Sequence, residues 1–380
     1  MSDTDSATIY EELGVTPVIN ARGNQTVLGG SMFAPQVQAA MGAANRYFVD
    51  MGALQERGGE IIAELVGCEA AFVTPGCAAA LALGTAACIA GDDQEKMARL
   101  PDTAGMKRNV LIQASQRYHY ERATTIVGAR LVEVGDANGT SAEQLAAAAI
   151  DDETAVVLVP AHLDGQDGAL PLTEVIAIAH EHDVPVLVDA ASQIYPVERL
   201  RSWTAMGADL VGFGAKYFGG GNSAGLLCGR KDLVASAAMQ GFIGFELGPA
   251  RGRVFGRPLK LDRQEIMGTV VAVREWVTMD HEVRIQQVQQ RIDALVSGLD
   301  TVAAAQTGVH IGARFGAPAL SIHIDPASGH TGESVRAALQ SGNPSIVVGG
   351  SGDELDLNLG TIADGDVAVI AARLREILAS

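Results

Sequence analysis

The sequence predicts an α/β protein in which a mainly parallel sheet has helices on both faces and a smaller C-terminal α/β domain follows. Its 380 residues exceed one small module, which suggests two domains or one large and one small lobe. With 48% hydrophobic and 19% charged residues, the composition excludes disordered, collagen-like and disulfide-rich classes. Short apolar runs alternate with stretches of helical periodicity, and strands that are apolar throughout are typical of parallel sheets buried on both faces.

The first strand and helix of this sheet are expected in the most apolar part of the chain, residues 70–90. This stretch is about long enough to cross a bilayer, but Thr74, Pro75 and Gly76 interrupt it. A membrane span tolerates Gly and Pro, whereas a short strand, a turn and a buried helix explain these residues better. The polar first residues lack the basic region and the apolar core of a signal peptide, so we expect a soluble, cytoplasmic protein.

Six further strands are predicted along a large domain at residues 31–260, which follows an N-terminal arm at residues 1–30. These strands lie at residues 110–113, 130–134, 155–160, 184–189, 208–213 and 225–228. The segments between them carry apolar residues at helical spacing, as at residues 171–183. The alternation predicts strand–helix–strand units.

The pattern changes near residue 260, and we expect a small C-terminal domain at residues 261–380. Its predicted elements are one long helical run at 265–302, strands at 308–312 and 319–324, a helix near 333–339, strands at 346–348 and 355–359, and a helix at 366–379. The segment before it, residues 241–260, is predicted to be a long connection, and such connections are often functional.

The charge balance restricts the partners. The chain has 27 basic and 45 acidic residues and a net charge of −18 at pH 7. Such a surface repels phosphate backbones and anionic lipid, so we expect neither nucleic acid nor membrane as a partner. The cysteines form no CxxC pair, and we expect reduced thiols at Cys68, Cys77, Cys88 and Cys228. No metal site is predicted.

Three motifs stand in order along the large domain, and the first is a turn of small residues. Thr74-Pro75-Gly76-Cys77-Ala78-Ala79 opens an alanine-rich helix. The exposed amides and the positive dipole end of such a helix suit a phosphate group. A tight strand–helix turn also needs small residues for packing alone, so the motif is weak by itself.

The second motif is an apolar strand that ends in a carboxylate, Asp189, before Ala190-Ala191-Ser192-Gln193. Ligands of open parallel sheets bind at the carboxyl ends of strands, which places Asp189 at the expected crevice. An aspartate at this point can also cap the next turn.

The third motif is Lys216, which stands among glycines and aromatic residues in segment 212–221. A surface lysine in a flexible loop is the simpler interpretation. Its flanks are apolar rather than charged, however, and it follows Asp189 by one strand–helix–strand unit. A lysine in such surroundings loses its proton more readily and can attack a carbonyl carbon.

The three motifs together match the needs of pyridoxal 5′-phosphate (PLP). This cofactor requires an anion-binding turn for its phosphate, a lysine for Schiff-base formation and a carboxylate that keeps the pyridine nitrogen protonated. Phosphate turn, Asp and Lys in this order resemble fold-type I PLP enzymes of the aspartate aminotransferase superfamily. The resemblance implies PLP as the cofactor and a large domain built on a seven-stranded type of sheet.

Other segments narrow the resemblance to one branch of that superfamily. Residues 18–31, 48–51, 60–65, 229–233 and 256–260 resemble proteins related to selenocysteine synthase (seryl-tRNA selenium transferase) and the D-glucosaminate-6-phosphate ammonia-lyase group. The resemblance extends from about residue 10 to residue 268 and is weaker in the small lobe. Because one fold hosts many reactions, it implies the cofactor and the fold more strongly than the substrate.

The resemblance implies a role for individual residues. Lys216 forms the Schiff base, and Asp189 is the partner of the pyridine nitrogen. Amides of Gly76, Cys77 and Ala78 bind the phosphate. The other cofactor-binding candidates are Ser192 or Gln193 near the phenolic oxygen, Gln116 or His119 stacked on the pyridine ring, and Asn222 and Ser223 from a neighbouring subunit.

The chain departs from these relatives at three points. Phe213 stands three residues before the lysine, where many relatives have a serine. Gln116 aligns with a histidine of the relatives. Gly349 and Gly350 follow the strand at 346–348, where an arginine often lies, and this argues against the usual carboxylate clamp in the small lobe.

Substrate-binding candidates are sought among arginines, since the guanidinium fork suits carboxylate or phosphate. The candidates are Arg22, Arg251, Arg253 and Arg257. Arg22 is preferred because it lies beside Asn24, also a candidate, in the best-matching block. A solvated or ion-paired arginine is the alternative in each case. His162, after the strand at 155–160, is a further candidate, although a lone histidine is more often structural.

The predicted function is that of a PLP-dependent lyase acting on a hydroxylated amino acid, including a sugar-derived one. It would eliminate water and ammonia to give a 2-oxo acid. Racemisation or epimerisation, aldol cleavage and transamination begin with the same steps and stay alternatives, as does a PLP-binding protein of reduced activity. Selenium transfer to tRNA is disfavoured because the chain is acidic and shows no basic tRNA-binding extension. The resemblance also implies a homodimer or a higher oligomer.

Overall fold

The computed structural model describes residues 9–136, 138–312 and 316–379. The chain divides into two compact units. The large unit consists of Phe33–Thr278, and the small unit consists of Met1–Met32 together with Met279–Ser380.

The strands and helices are numbered in chain order. The strands are β1 (Val18–Ala21), β2 (Ala70–Thr74), β3 (Asn109–Gln113), β4 (Arg130–Val134), β5 (Thr154–Pro160), β6 (Val186–Asp189), β7 (Leu210–Gly214), β8 (Gly225–Gly229), β9 (Ala305–Ile311), β10 (Pro318–Ile324), β11 (Ser345–Val348) and β12 (Glu354–Leu357). The α-helices are α1 (Pro35–Ala44), α2 (Met51–Val66), α3 (Gly76–Ala90), α4 (Gln94–Arg99), α5 (Ala142–Ala149), α6 (Leu172–Glu181), α7 (Arg199–Ala205), α8 (Lys231–Gln240), α9 (Phe242–Leu247), α10 (Arg263–Thr278), α11 (His281–Leu299), α12 (Gly332–Gln340) and α13 (Asp364–Leu378).

A seven-stranded sheet forms the centre of the large unit, in the order β2-β8-β7-β6-β5-β3-β4. Strand β8 runs antiparallel to both β2 and β7, while the other neighbouring pairs are parallel. Strands β5 and β6 are buried along their whole length, as apolar strands covered on both faces should be. The predicted mainly parallel sheet is confirmed, and its predicted strands are all present.

Residues 70–90 form β2 and α3, as the interrupted apolar pattern predicts. Most residues of α3 are buried in the core of the large unit, which explains why this helix is almost entirely apolar. Within the described residues, no helix combines the length and the apolar character that a membrane span requires. The four cysteines are free thiols.

The small unit has its own core beside two small sheets. Strands β12, β10 and β9 form an antiparallel sheet in that order, and β1 pairs in parallel with β11. Residues 18–21 therefore lie in the small unit through a pairing with residues 345–348. The apolar residues of β10 and helix α11, such as Ile322 and Ile292, are fully buried in this core.

Two predictions about the connecting region are wrong. The run at 265–302 is not one helix, because α10 ends at Thr278 and α11 begins at His281. Asp280 starts the second helix, since its Oδ1 accepts hydrogen bonds from the amides of Glu282 and Val283 (both 3.0 Å). Helix α10 belongs to the large unit. The segment 241–260, predicted to be a connection without regular structure, contains helix α9.

Candidate active site

Three candidate side chains lie at or just after the carboxyl ends of three neighbouring parallel strands. Pro160 of β5 pairs with Asp189 of β6, and Asp189 pairs with Gly212 of β7. His162 follows the end of β5 by two residues, and Lys216 follows the end of β7 by two residues. Because parallel strands end at the same edge of a sheet, all three side chains lie at its carboxyl edge, where ligands of such sheets bind.

Asp189 is a buried side chain, only 5% exposed, and a hydroxyl, a backbone amide and a thiol donate to its carboxylate. The Tyr118 hydroxyl donates to Oδ2 (2.6 Å), the Ala191 amide donates to Oδ1 (3.1 Å), and the Cys77 thiol lies 3.5 Å from Oδ1. Burial, together with the charge of Asp189, raises the pKa of both the Tyr118 hydroxyl and the Cys77 thiol. Both groups therefore stay protonated at neutral pH, so that all three donors are neutral.

Tyr118 is held in place by a pair of charged side chains next to it. Its amide donates to Oε2 of Glu121 (3.1 Å), and Nε of Arg117 donates to both Glu121 oxygens (2.8 and 2.9 Å). Arg117 also reaches Glu133 on β4 (2.5 Å). Hydrogen bonds to Glu121 and Glu133 raise the pKa of Arg117 above its ordinary value, so this side chain stays charged. The Tyr118 backbone is thereby fixed to the sheet.

Sequence reasoning missed Tyr118. Its ring packs edge-on against His162, with ring centroids 5.5 Å apart. The two predicted candidates for ring stacking are placed differently. Gln116 is buried and donates to the Leu163 carbonyl (3.0 Å), whereas His119 is exposed. Tyr118 lies between the two candidates in the sequence, which was the only hint of its role. The sequence alone does not tell which of these neighbouring side chains turns toward Asp189.

Lys216 lies on a short 3-10 turn, Ala215–Phe218, directly after β7. The Ala215 amide donates to the Ala224 carbonyl (2.9 Å), which ties the turn to the start of β8. Lys216 is half-buried, and its Nζ lies 5.3 Å from the centroid of the Tyr217 ring. The turn is therefore part of the sheet edge rather than a flexible surface loop.

Phe213 supports this turn from the core. It is fully buried, and its ring packs edge-on against Phe218 with centroids 6.2 Å apart. The position where many relatives have a serine is thus an interior aromatic contact in this chain.

The predicted phosphate turn is the first turn of α3. Its N-cap position is Pro75, whose side chain has no hydrogen-bonding atom, so backbone amides and the positive end of the helix remain for an anion. Gly225 on β8 faces this turn, and a Cβ there would lie 2.4 Å from the Gly76 carbonyl carbon and 2.5 Å from the Cys77 nitrogen. Only glycine allows β8 to approach so closely. Cys77 also touches Asp189, so the turn and the carboxylate adjoin.

The other predicted cofactor ligands lie on the large unit. Ser192 and Gln193 follow Asp189 and are buried, and Oε1 of Gln193 accepts a hydrogen bond from Arg199 (2.9 Å). Asn222 and Ser223 precede β8, and the Ser223 hydroxyl donates to Glu265. Their roles toward a cofactor stay predictions.

The candidate arginines differ in their surroundings. Arg257 forms an ion pair with Glu246 (3.0 Å), and Arg253 forms one with Glu95 (3.3 Å), so the ion-paired interpretation applies to both. Arg251 is exposed. Arg22, exposed, and Asn24, half-buried, lie in the small unit and stay predicted substrate ligands.

The structure explains the absence of an arginine after β11. Gly349 donates to the Asp356 carbonyl (2.8 Å) in the tight connection to β12. Gly350 has a φ of +104°, and a Cβ there would lie 2.1 Å from the Glu354 carbonyl oxygen. The close backbone approach excludes any larger residue at this position.

The residues at the carboxyl edge fit PLP. Asp189 is a buried carboxylate with neutral donors, an arrangement that a protonated pyridine nitrogen would complete. The first turn of α3 offers amides to a phosphate, and Lys216 follows β7, the strand next to β6. Within the ranges that the structure describes, no cluster of His, Cys, Asp or Glu is suited to hold a metal ion.

Comparison with known proteins identifies the family of the chain and its relatives. Residues 18–241 match the family described as SelA: L-seryl-tRNA selenium transferase. A 5′-C-glycyluridine monooxygenase-decarboxylase from a Streptomyces species is 34% identical over 97% of this chain and 92% of its own length. The D-glucosaminate-6-phosphate ammonia lyase of Salmonella typhimurium is 30% identical over 97% of both chains. A solved structure of D-glucosaminate-6-phosphate ammonia-lyase superimposes with a TM-score of 0.84 at 29% identity, over 98% of both chains.

Proposed function

The chain belongs to the L-seryl-tRNA selenium transferase (SelA) family, and we propose that it is a PLP-dependent lyase of amino acid metabolism. Its substrate is a hydroxylated amino acid, with sugar-derived amino acids and their phosphates as the favoured class. The similarity to D-glucosaminate-6-phosphate ammonia lyase over nearly the whole chain supports this choice. The observation that carries the proposal is the juxtaposition of Asp189, Lys216 and the first turn of α3 at one sheet edge.

Each of these groups has a distinct task. When bound, PLP supplies an aldehyde that amines attack and a ring that withdraws electrons from the substrate α-carbon. Asp189 would hold a proton on the pyridine nitrogen, because a buried carboxylate is stabilised by a cationic partner. Amides of Gly76, Cys77 and Ala78 would bind the phosphate. Lys216 would hold the cofactor covalently through Nζ.

Lys216 would also act as the general base and the general acid of the reaction. Nζ of Lys216 takes the proton from the substrate α-carbon and gives a proton to the β-hydroxyl group, which leaves as water. Hydrolysis of the resulting enamine yields the 2-oxo acid and ammonia. His162 follows β5 at the same end of the sheet, which makes it a proposed neighbour of the substrate. Racemisation or aldol cleavage would use the same lysine, so the products identify the reaction.

Oxidative decarboxylation is a second candidate function. The specific observation in its favour is the 34% identity to a monooxygenase-decarboxylase over 97% of this chain. That reaction consumes O₂ and releases CO₂, whereas the proposed elimination consumes no O₂. The two functions are therefore separated by measuring both gases.

The decisive test assays purified protein with a panel of D- and L-hydroxyamino acids, including phosphorylated sugar acids. We expect one ammonia for each 2-oxo acid, and the same yield of both products with and without O₂. Consumption of O₂ with release of CO₂ would instead identify the second candidate function. Inversion of the substrate's stereochemistry without ammonia release would identify a racemase.

Substitution of the lysine tests the site itself. Borohydride treatment followed by peptide mass spectrometry should place the reduced pyridoxyl group on Lys216. The Lys216→Ala variant should release ammonia at least about 10²–10⁴-fold more slowly, the usual contribution of a general base. Lys260→Ala, which removes an exposed lysine of the same unit, serves as the control and should keep its activity. A label on another lysine would refute the assignment.

We also propose that the protein is a cytoplasmic homodimer. Fold-type I sites are built where two subunits meet, and Asn222 and Ser223 are the residues proposed to reach the neighbouring site. The net charge of −18 supports a cytoplasmic location, because an acidic surface repels anionic lipid.

A further inference from the structure

The hydroxyl of Tyr118 makes a short hydrogen bond to the carboxylate at the centre of the site. It donates to Oδ2 of Asp189 at 2.6 Å, in the range of a strong hydrogen bond to an ionised group. Asp189 is 95% removed from solvent, so water is a poor substitute for this donor. A buried carboxylate that loses a donor bears the full cost of its desolvation.

The orientation of this hydroxyl is built into the fold. Glu121 accepts a hydrogen bond from the Tyr118 amide and three from Arg117, and Arg117 also donates to Glu133 on β4. On the other side, the ring rests edge-on against His162. The Tyr118 phenol thus reaches Asp189 from a backbone position that Arg117 and Glu121 hold in place.

Burial and the Asp189 charge raise the pKa of Tyr118, so the phenol keeps its proton through the neutral range. A thiol at 3.5 Å and the backbone amide of Ala191 at 3.1 Å also donate to Asp189. Tyr118 therefore connects the segment that follows β3 to the Asp189 carboxylate by a short hydrogen bond.

We propose that Tyr118 is a positioning residue, whose hydroxyl orients the Asp189 carboxylate for the pyridine nitrogen of PLP. The proposal rests on the proposed function, because it assumes that PLP binds at this edge. It adds a residue outside the phosphate turn, Asp189 and Lys216, and it acts through Asp189 rather than on the substrate.

A double-mutant cycle on cofactor affinity tests the proposal without using activity. The dissociation constant of PLP is measured on apo-protein by fluorescence quenching for wild type, Tyr118→Phe, Asp189→Asn and the double variant. Tyr118→Phe removes the hydrogen bond to Asp189 and keeps the ring. We therefore expect it to weaken PLP binding by about tenfold. In the Asp189→Asn background the same change should weaken binding by less than about twofold, since no carboxylate remains to be oriented.

Two matched variants separate the hydroxyl from the ring and from the segment. Tyr120→Phe removes a hydroxyl that is exposed on the same segment and should leave PLP affinity unchanged. Tyr118→Leu removes the ring as well. If Tyr118→Phe binds PLP as tightly as wild type while Tyr118→Leu does not, the ring alone matters and the proposal fails.

Additive effects of Tyr118→Phe and Asp189→Asn would also overturn the proposal, because Tyr118 would then act independently of the carboxylate. Failure of the proposed function has a different signature. In that case wild-type apo-protein itself would neither bind PLP nor gain a borohydride-stable label on Lys216.

Discussion

Two buried aspartates on neighbouring strands have different partners at the scale of single residues. Asp189 ends β6, and its donors are neutral. Asp209 precedes β7 at the opposite edge of the sheet, and its carboxylate accepts from Arg230 (2.9 Å), the Val186 amide (2.7 Å) and His180 (2.9 Å). Asp209 thus has a charged partner in Arg230, whereas the hydroxyl, the amide and the thiol that donate to Asp189 are neutral groups.

This difference predicts that Asp209 serves stability and not cofactor binding. Asp209→Asn keeps the shape of the side chain but removes the charge between Arg230 and His180. We expect the free energy of unfolding to fall by about 2 kcal/mol, because hydrogen bonds to a buried charge are lost. Urea unfolding measures the change. The matched control is Asp232→Asn, which removes the exposed partner of Arg230 and should cost less than about 1 kcal/mol.

PLP affinity gives the second half of this test. Asp209→Asn should bind PLP like wild type, since the substitution lies at the amino edge of the sheet. A loss of PLP binding without a loss of stability would contradict the division of roles between the two aspartates.

At the residue scale the sequence predicted Asp189 and Lys216 but not Tyr118. The positions of Asp189 and Lys216 follow from the apolar strands that precede them, because ligand-binding residues lie at the carboxyl ends of such strands. Tyr118 follows β3 in irregular backbone, where neither helical nor strand periodicity predicts the direction of a side chain. Its direction depends on the hydrogen bonds of Tyr118 to Asp189 and of Arg117 to Glu133, which join segments distant in the sequence.

At the scale of elements, the site depends on how closely α3 approaches the antiparallel strand β8. Gly225 lies opposite the first turn of α3, and its missing side chain lets the Gly76 and Cys77 backbone rest on the strand. Since Cys77 also contacts Asp189, this approach fixes the distance between the phosphate turn and the carboxylate. The helix and the strand together therefore determine the dimensions of the cofactor site.

Gly225→Ala should separate these two elements. The added Cβ would lie 2.4 Å from a backbone carbon, so the first turn of α3 must move. We expect PLP affinity to fall by at least about tenfold and the free energy of unfolding by about 1–3 kcal/mol, as for overpacked cores. Fluorescence titration and urea unfolding measure the two effects.

Gly42→Ala is the matched control for this substitution. Gly42 lies inside α1, and a Cβ there would have no atom within 4 Å. Because alanine favours the helix, we expect stability to be unchanged or raised by about 0.5–1 kcal/mol, with unchanged PLP affinity. If Gly225→Ala behaved like Gly42→Ala, the close approach would have no role in the cofactor site.

Element boundaries were predictable where burial on both faces makes a strand apolar throughout, as in β5 and β6. The break between α10 and α11 was missed because neither Gly nor Pro marks it. Its only local signal is Asp280, a capping residue inside a continuous helical pattern. The pairing of β1 with β11 joins segments at opposite ends of the sequence, and no local pattern encodes such a pairing.

At the scale of the whole molecule, the net charge of the chain argues against the tRNA-dependent activity for which its family is named. Charged tRNA is a polyanion, and proteins that bind it use basic surfaces that release counterions. This chain carries 18 more acidic than basic residues. Long-range repulsion therefore opposes the approach of tRNA, while a small anionic substrate needs only local positive groups at the site.

Light scattering during gel filtration tests both the charge argument and the proposed assembly. In buffer of about 0.15 M salt, where charges are screened beyond roughly 8 Å, we expect a single species with twice the mass of the chain. Adding an equimolar amount of tRNA should leave that mass and the tRNA elution position unchanged, because binding to the acidic surface is unfavourable. A larger complex that dissociates as salt is raised would show a basic binding surface and revive selenium transfer as the function. A fully PLP-loaded monomer would refute the proposal that a second subunit completes the site.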